Sequence, residues 1–379
     1  MSAELEAPKY WENYILDIGE SVTQFWAQHL GTGPRDLLFI LGCGFDPRTI
    51  LGVETLFGLG GQGKREVLAI TLDEGATSPS MTHLSAVETN REKLQKLVEG
   101  RGVITATSVQ MQAEDGRRIG SRNAAGVIKD LLQLQPFSDV ILDISALPRA
   151  IYCPLIAKIL YLLKHAPPDS GCARINLHVL VSEDPALDDA IKEEGISDTA
   201  SYVYGFGGGL EMESTTDLPK IWIPVLGEKQ EEQLKRVYDL VSPNEICPLL
   251  PSPSRNPRRG DDLIYEYREL LFERLRVEPS NFVYAAERNP FEVYRHIKRT
   301  VAQFRDALKP LGGCKAVISA HSSKLLSLGV LLAAYELKEA NGDVGIAHVE
   351  SQGYTMNPTL PETKSELCGL WLCGECYEP

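Results

Sequence analysis

The chain lacks the long hydrophobic run that a membrane-spanning helix needs. No stretch of about 18 apolar residues occurs in the sequence. The first residues, MSAELEAPKYWENY, also lack the basic start and the apolar core of a secretory signal. We therefore expect a cytoplasmic protein with no membrane span.

Cysteine is scarce, and eight cysteines in 379 residues are too few for a disulfide-stapled scaffold. The C-terminal sequence CGLWLCGEC holds Cys368, Cys373 and Cys376, and the last two have the C-x-x-C spacing of half a zinc site. A zinc site needs about four ligands, and we find no second pair at a suitable spacing. We therefore predict no bound metal, with these three cysteines as the candidates if one is held.

An excess of positive charge is also missing. The formal net charge of −14 argues against a protein that coats nucleic acid, because such a protein needs a basic surface to displace counterions. A small cationic pocket is still compatible with this charge. The sequence contains no G-x-S-x-G, Walker A or H-E-x-x-H motif, so it is left open whether the protein is an enzyme.

What the sequence does contain is a regular alternation of strand and helix patterns. Apolar residues make up 43% and charged residues 24%, as in soluble globular proteins, and the length allows two domains. Continuous apolar strands such as LLFIL at 37–41 predict parallel sheets with helices on both faces. We predict an α/β fold with two tandem Rossmann-like lobes, each a mostly parallel sheet of about five strands.

The predicted organisation has five segments. They are an N-terminal helix packed on the first lobe (1–35), the first Rossmann-like lobe (36–180), a glycine-rich linker or flap (181–218), the second lobe (219–355) and a cysteine-containing C-terminal tail (356–379). In both lobes one strand ends in a small-residue turn that carries a hydroxyl and a cation. We interpret the two lobes as a tandem duplication.

Ligands of such sheets bind outside the carboxyl ends of the strands, and four polar turns are predicted there. The first is GCGFDPRT, in which Gly42 and Gly44 would allow a close backbone approach. Arg48 would bind a phosphate or carboxylate with two hydrogen bonds. The alternative is a plain helix start with Asp46 as its cap.

The second turn is DISALPR. Ser145 offers a hydroxyl, and Arg149 lies at a helix N-terminus. A cation is unfavourable there unless an anion is bound, which favours a ligand site. The alternative is that Arg149 pairs with Asp143 or Asp46.

The third turn, SAHSSK, has the corresponding place in the second lobe. Ser322 or Ser323 would cap the following helix, and Lys324 stands in its first turn as Arg149 does in the first lobe. His321 could donate to a ligand or act as an acid or base. If the ligand is turned over, His321 and Lys324 are the candidates for catalysis.

The fourth turn, PSPSRNPRRGDD, carries the densest cationic patch of the chain. Its members are Arg255, Arg258 and Arg259. After the next strand, Glu287 and Asn289 would contact a base or a ribose. The alternative is an exposed loop whose arginines pair with Asp261 or Asp262.

The turns after the first and fourth strands resemble those of the CRISPR-associated Rossmann fold family, which senses cyclic oligonucleotides. The corresponding residues here are 42–48 and 145–149 in the first lobe, and 227–229 and 322–324 in the second. Two such lobes in one chain resemble the SAVED sensor domain of bacterial antiviral systems. The resemblance implies a cyclic oligonucleotide as the ligand.

The sequence FILGCGFDPRT also resembles the first motif of S-adenosylmethionine-dependent methyltransferases, particularly those that methylate carboxyl groups. This resemblance implies S-adenosylmethionine as the cofactor, bound at the loop of Gly42 and Gly44. Asp73, at the end of the next strand, would then hold the ribose hydroxyls.

From these patterns we predict a protein that binds a nucleotide or another phosphorylated ligand between its two lobes. The expected role is that of a sensor or accessory protein in prokaryotic antiviral defence, with an anionic small molecule and a further defence protein as partners. Two alternatives stay open. One is an S-adenosylmethionine-dependent methyltransferase, and the other is a non-enzymatic interaction subunit of a defence complex.

Overall fold

The computed structural model describes residues 10–207, 210, 217–340, 342–357 and 364–377. These residues form two compact units. Lobe 1 consists of residues 14–195 and 351–377, and lobe 2 of residues 10–13 and 196–350. The predicted glycine-rich segment extends over Gly208 and Gly209, which lie outside the described residues.

Lobe 1 begins with a short strand and then alternates between strands and helices. Its elements are β1 (Ile15–Ile18), α1 (Glu20–Gly31), β2 (Leu37–Gly42), α2 (Leu51–Gly58), β3 (Arg65–Asp73), α3 (Leu84–Val98), β4 (Val103–Gln110), α4 (Gly120–Ala125), β5 (Asp139–Asp143), α5 (Arg149–Lys164), β6 (Asn176–Glu183), α6 (Pro185–Ala190) and β7 (Ile191–Ile196).

Lobe 2 repeats this alternation. Its elements are β8 (Ser201–Tyr202), β9 (Lys220–Val225), α7 (Glu231–Val241), β10 (Glu245–Ile246), β11 (Leu249–Pro251), α8 (Arg259–Glu266), β12 (Val283–Ala285), α9 (Pro290–Ala307), β13 (Lys315–Ala320), α10 (Lys324–Glu339) and β14 (Val344–His348). The chain then returns to lobe 1 as β15 (Ser351–Met356) and β16 (Glu366–Cys373).

Each lobe is built on a seven-stranded, mostly parallel sheet. In lobe 1 the order is β1-β16-β6-β5-β2-β3-β4, and β2 to β6 are all parallel. In lobe 2 the main path is β12-β11-β9-β13-β14-β8, with β10 paired to β9. Numbered along the chain, and with the two-residue β10 left aside, the five parallel strands of each lobe have the same Rossmann order, 3-2-1-4-5. The predicted fold class is confirmed.

The central strands and two helices form the core of each lobe. Every residue of β2 and of β13 is buried, as expected for parallel strands covered on both faces. The helices α5 and α10, which follow the fourth parallel strand of their lobes, also bury most of their residues. Helices that are apolar nearly all round pack inside a domain.

The two ends of the chain differ from the sequence prediction. Residues 15–18, expected in the N-terminal helix, form β1, and the helix starts only after Gly19, whose φ is 65°. The segment predicted as a C-terminal tail contributes β16, which lies antiparallel between β6 and β1. Its apolar run LCGLWLC is buried in the sheet, because it has strands on both sides.

Residues 10–13 pack on helices α9 and α10 of lobe 2. Trp11 is fully buried, and its ring lies edge-on to Tyr294 with centroids 5.6 Å apart. The Tyr10 backbone N–H donates to Glu336 at 3.2 Å, and Lys298 pairs with the same buried carboxylate. The first described residues therefore belong to the core of lobe 2. Within the described residues, no helix has both the length and the apolar character to cross a membrane.

Candidate functional site

The candidate site of each lobe lies where its strand order reverses. This switch point falls between the first and fourth parallel strands, β2 and β5 in lobe 1 and β9 and β13 in lobe 2. Open α/β sheets bind their ligands outside the carboxyl ends of these strands. Three of the four turns singled out in the sequence start from these ends, and the fourth, PSPSRNPRRGDD, follows β11.

A glycine lets the two turns of each switch point pack together. A Cβ added to Gly42 would lie 2.7 Å from Cδ2 of Leu147, and one added to Gly227 would lie 2.1 Å from the carbonyl oxygen of His321. Any side chain would force the turns apart. By contrast, a Cβ on Gly44 would meet no described atom within 4 Å, so the space beside Gly44 is open.

In lobe 1, Arg48 is held by two carboxylates of the chain. Its Nε and Nη2 donate to Asp46 at 3.0 and 2.8 Å, and its Nη1 donates to Asp188 of α6 at 2.7 Å. Asp46 also accepts from the Arg48 backbone N–H, so the predicted helix cap is present. Burial alone would lower the pKa of Arg48, but the two carboxylates raise it above its usual value. We call Asp46, Arg48 and Asp188 the Arg48 clamp.

The DISALPR turn also uses its polar atoms within lobe 1. The hydroxyl of Ser145 is fully buried and accepts from the backbone N–H of Ser182 at 2.8 Å, which ties the turn to β6. Arg149 is the half-buried first residue of α5. Burial works against its charge, while Tyr152 and Glu193 of β7 raise its pKa. Its carboxylate neighbour therefore comes from the segment predicted as a linker.

In lobe 2, an arginine of the predicted cationic patch joins three loops. Arg259 Nε and Nη2 donate to Glu228 at 2.6 and 2.7 Å, and Nη1 donates to Glu287. Glu287 also accepts from the backbone N–H of Arg255 at 2.7 Å. Burial lowers the pKa of Arg259, but both carboxylates raise it above its usual value. We call Glu228, Arg259 and Glu287 the Arg259 clamp; the Arg255 and Arg258 side chains are exposed.

Two predicted binding residues of lobe 2 are helix caps. Asn289 Oδ1 accepts from the backbone N–H of Phe291 at 3.1 Å and caps α9. Ser323 Oγ accepts from the backbone N–H of Leu326 at 3.3 Å and caps α10. Lys324 is the half-buried first residue of α10 and follows Ser322 and Ser323 directly. The structure thus places a cation at the N-terminus of α10, as it places Arg149 at α5.

His321 is buried within lobe 2. Its Nε2 lies 2.8 Å from Ser319 Oγ, and that oxygen accepts from Trp222 Nε1 at 2.9 Å. This hydrogen-bonded chain fixes the ring against the sheet. The catalytic role considered for His321 and Lys324 stays a prediction, as does the shared cavity expected for Arg149 and Lys324.

The C-terminal cysteines are free thiols on and after β16. Cys368 and Cys373 are buried and Cys376 is exposed. Within the described part of the chain, they do not form a group that could hold a metal ion.

Sequence reasoning missed one carboxylate partner of each of the two arginines. Asp188 lies in the predicted linker, far along the chain from Arg48, and Glu228 lies in the turn at 227–229, which was considered only as a ligand contact. An acid shortly after the first parallel strand was the available signal for an internal partner, since Glu228 follows β9 with only Leu226 and Gly227 between them.

No family model and no curated protein matches the chain. Solved structures resemble it distantly. They include a type III CRISPR defence DNA nuclease activated by cyclic oligoadenylate (9% identity, TM-score 0.42, 78% of this chain and 63% of that chain), a functionally unknown protein from Pseudomonas aeruginosa PAO1 (10%, 0.21, 82% and 91%) and a universal stress protein from Archaeoglobus fulgidus (10%, 0.23, 82% and 94%). The chain thus spans less than two thirds of the nuclease. Because these TM-scores are low, function has to be inferred from the side chains.

Proposed function

We propose that the chain binds a phosphorylated small molecule, a nucleotide in the first place, at the carboxyl ends of its parallel strands. One observation carries the proposal. The helix after the fourth parallel strand begins with a cation in both lobes, Arg149 in α5 and Lys324 in α10.

A cation is unfavourable at this end of a helix. Free backbone N–H groups and the helix dipole make the N-terminus partly positive, so a cation gains there only when an anion lies beside it. In lobe 1, the carboxylate of Glu193 already acts on Arg149. Both helices have 16 residues, and both start at a switch point, where α/β sheets bind ligands. A phosphate would accept from these N–H groups and pair with the cation.

The clamps favour lobe 2 as the principal site. The Arg48 clamp joins the loop after the first parallel strand to α6, the helix after the fifth parallel strand. Because the fourth strand lies between these two in the sheet, the clamp passes over the turn that follows the fourth strand. The Arg259 clamp joins the loops after the first, second and third strands, and it leaves the turn at Lys324 outside. The exposed Arg255 lies on the same edge of the sheet. We therefore assign the larger share of phosphate binding to Lys324.

The test is calorimetric titration with cyclic oligoadenylates and with ADP. We expect the Arg149→Gln, Lys324→Gln double variant to bind at least about tenfold more weakly, the loss of about 1.4 kcal/mol. Lys164→Gln with Lys338→Gln is the matched control, because it removes the same charge from the opposite ends of the same helices. Equal affinity of the double variant and the wild type would contradict the proposal.

The role we propose is that of a sensor or accessory protein in antiviral defence. The resemblance of the turns at 145–149 and 322–324 to cyclic-oligonucleotide sensors supports this role, and it makes cyclic oligoadenylate the first ligand to try. His321 is hydrogen-bonded inside the sheet, so binding without turnover is the simpler assignment. If no nucleotide binds and a protein co-purifies, the interaction subunit is the better description.

Binding of S-adenosylmethionine is the second candidate, and the loop at Gly44 favours it. The space beside Gly44 is open, and Asp73 ends β3, the parallel neighbour of β2. An acid after the second strand is where Rossmann folds hold a ribose. Titration with S-adenosylmethionine tests this candidate, and Asp73→Asn should abolish the binding if Asp73 holds the ribose.

A further inference from the structure

A second polar cluster lies at the opposite, amino ends of the lobe 1 strands. His29 of α1, Asp139 at the start of β5 and His178 of β6 are 7%, 0% and 2% exposed. His29 Nε2 lies 2.7 Å from Asp139 Oδ1, and His178 Nε2 lies 3.2 Å from the same oxygen. Two imidazoles thus converge on one buried carboxylate. Sequence reasoning did not find them, because three distant segments supply them.

The Asp139 carboxylate is fixed from several sides. Ser138 Oγ donates to Oδ2 at 2.7 Å, Asn176 Nδ2 donates to Oδ1 at 2.9 Å, and Arg35 Nη1 lies 3.4 Å from Oδ2. Such outer contacts orient a carboxylate toward whatever its remaining lone pairs bind.

Within the described residues, the buried Asp139 carboxylate has only shared cationic partners. Arg35 Nη1 lies 3.4 Å from its Oδ2, but Arg35 Nη2 also pairs at 2.9 Å with Glu375, which is exposed. The charge of Arg65 also acts on Asp139, and Arg65 is shared with Asp36. Buried charges are normally balanced, and a cation at the imidazoles would add to that balance.

We propose that His29, Asp139 and His178 bind a divalent transition-metal ion such as Zn²⁺ or Fe²⁺. Two imidazoles and one carboxylate are an established donor set for these metals. The three ligand atoms all lie within 4.8 Å of one another, so small side-chain movements would bring each to a metal distance of about 2.0–2.2 Å. A neutral imidazole would bind the metal through its Nε2 lone pair and carry its proton on Nδ1, so no net proton is released from such a ring.

Aromatic rings enclose the cluster. The rings of Trp26 and Trp371 lie 4.7 and 4.9 Å from that of His178, and Phe25 stacks on His29 at 5.3 Å. A metal shielded in this way would join α1, β5 and β6 and stabilise lobe 1 rather than act on a substrate. Metal binding and folding are coupled when the ligands come from separate elements.

The test is titration of the untagged, chelator-treated full chain with Co²⁺ and Zn²⁺. We expect stoichiometric Co²⁺ with visible d–d absorption, and a higher melting temperature with Zn²⁺. His29→Gln and His178→Gln should lose the absorption. His165→Gln, which changes an exposed histidine, and Cys376→Ser, which breaks the C-x-x-C pair, should keep it.

The wild-type titration decides the matter even if a variant does not fold. A folded wild type with no Co²⁺ absorption and no Zn²⁺ stabilisation would overturn the proposal. Loss of binding in Cys376→Ser, with retention in His178→Gln, would overturn it as well, since the metal would then belong to the cysteines.

Discussion

The two lobes have parallel strands in the same order, but their carboxyl ends are held together differently. In lobe 1 the Arg48 clamp connects the loop after the first strand with α6, beyond the fifth strand. In lobe 2 the Arg259 clamp connects the loops after the first three strands. Arg48 is 4% exposed, whereas the side chain of Arg259 is 17% exposed. The same sheet topology therefore carries two ion clusters on different sides of the switch point, one around a buried arginine and one around a partly solvated arginine.

The largest expected effect comes from removing the two arginines. Arg48→Ala should cost about 3–5 kcal/mol of unfolding free energy, because it leaves Asp46 buried and unpaired. Arg259→Ala should cost less, since water reaches Glu228. Chemical denaturation with hydrogen exchange resolves the two lobes. Arg91→Ala, which breaks an exposed pair with Glu88, is the control and should be nearly neutral. Equal losses for Arg48→Ala and Arg259→Ala would remove the difference between the clamps.

The glycines of the two switch points should also differ. The Cβ of Gly227→Ala would meet the backbone carbonyl of His321, which cannot move without disturbing β13. The Cβ of Gly42→Ala would meet Cδ2 and Cγ of Leu147 at 2.7 and 2.9 Å and the carbonyl oxygen of Ala146 only at 3.1 Å, so most of the overlap is with a side chain. We expect Gly227→Ala to lower the free energy of unfolding by about 3 kcal/mol and Gly42→Ala by about 1 kcal/mol, the upper and lower parts of the range for overpacking. Thermal unfolding followed by circular dichroism measures both, and the reverse ranking would show that the lobe 2 turn is the more adaptable.

Serine substitutions should separate a buried contact from a helix cap. Ser145→Ala leaves the backbone N–H of Ser182 without its acceptor in a buried place, at a cost of about 1–3 kcal/mol. Ser323→Ala removes the cap of α10 and should cost about 1 kcal/mol. The same unfolding experiment measures both. A larger loss of stability for Ser323→Ala than for Ser145→Ala would mean that the helix cap in lobe 2 contributes more than the buried strand contact in lobe 1.

The smallest expected effect is a dependence on pH in lobe 2. Burial raises the pKa of Glu228, but Arg259 outweighs it and holds the pKa below its usual value. The unfolded chain therefore takes up this proton at a higher pH than the folded chain. The stabilisation is present above the usual glutamate pKa and is lost as the pH falls through the folded value. Glu228→Gln should flatten the acid side of the stability profile, as measured by urea unfolding between about pH 6 and 3. If the stability of Glu228→Gln falls with decreasing pH as steeply as that of the wild type, the Glu228–Arg259 pair contributes nothing to stability.

Much of the fold could be predicted from local pattern. The strand LLFIL and the helix after DISALPR were expected where β2 and α5 lie, because continuous apolar strands and buried helices have strong signals. The strand β16 was missed although its run LCGLWLC is apolar. Its partner strand β6 lies far back in the chain, where Glu183 pairs with Glu366 and Leu177 with Cys373. Nothing in the local sequence distinguishes a strand that returns to a distant sheet from a tail.

The candidate site was predictable in position and not in chemistry. The turns at Ser145 and Ser323 do follow the fourth strands, since topology alone places them there. The partner of Arg48 could not be inferred, because Asp188 comes from a helix after the fifth strand. The cluster at Asp139 escaped for the same reason. Single histidines carry no signal until the fold brings them together.

The order in which the chain visits the lobes has a practical consequence. Trp11, buried against Tyr294 of lobe 2, precedes all of lobe 1, and β16 of lobe 1 follows all of lobe 2. A fragment that ends at residue 195 would lack β16, the strand that pairs with β1. A fragment that begins after residue 195 would lack the indole of Trp11, which is buried in lobe 2. To obtain either half by itself, the termini would have to be relocated by circular permutation rather than by truncation.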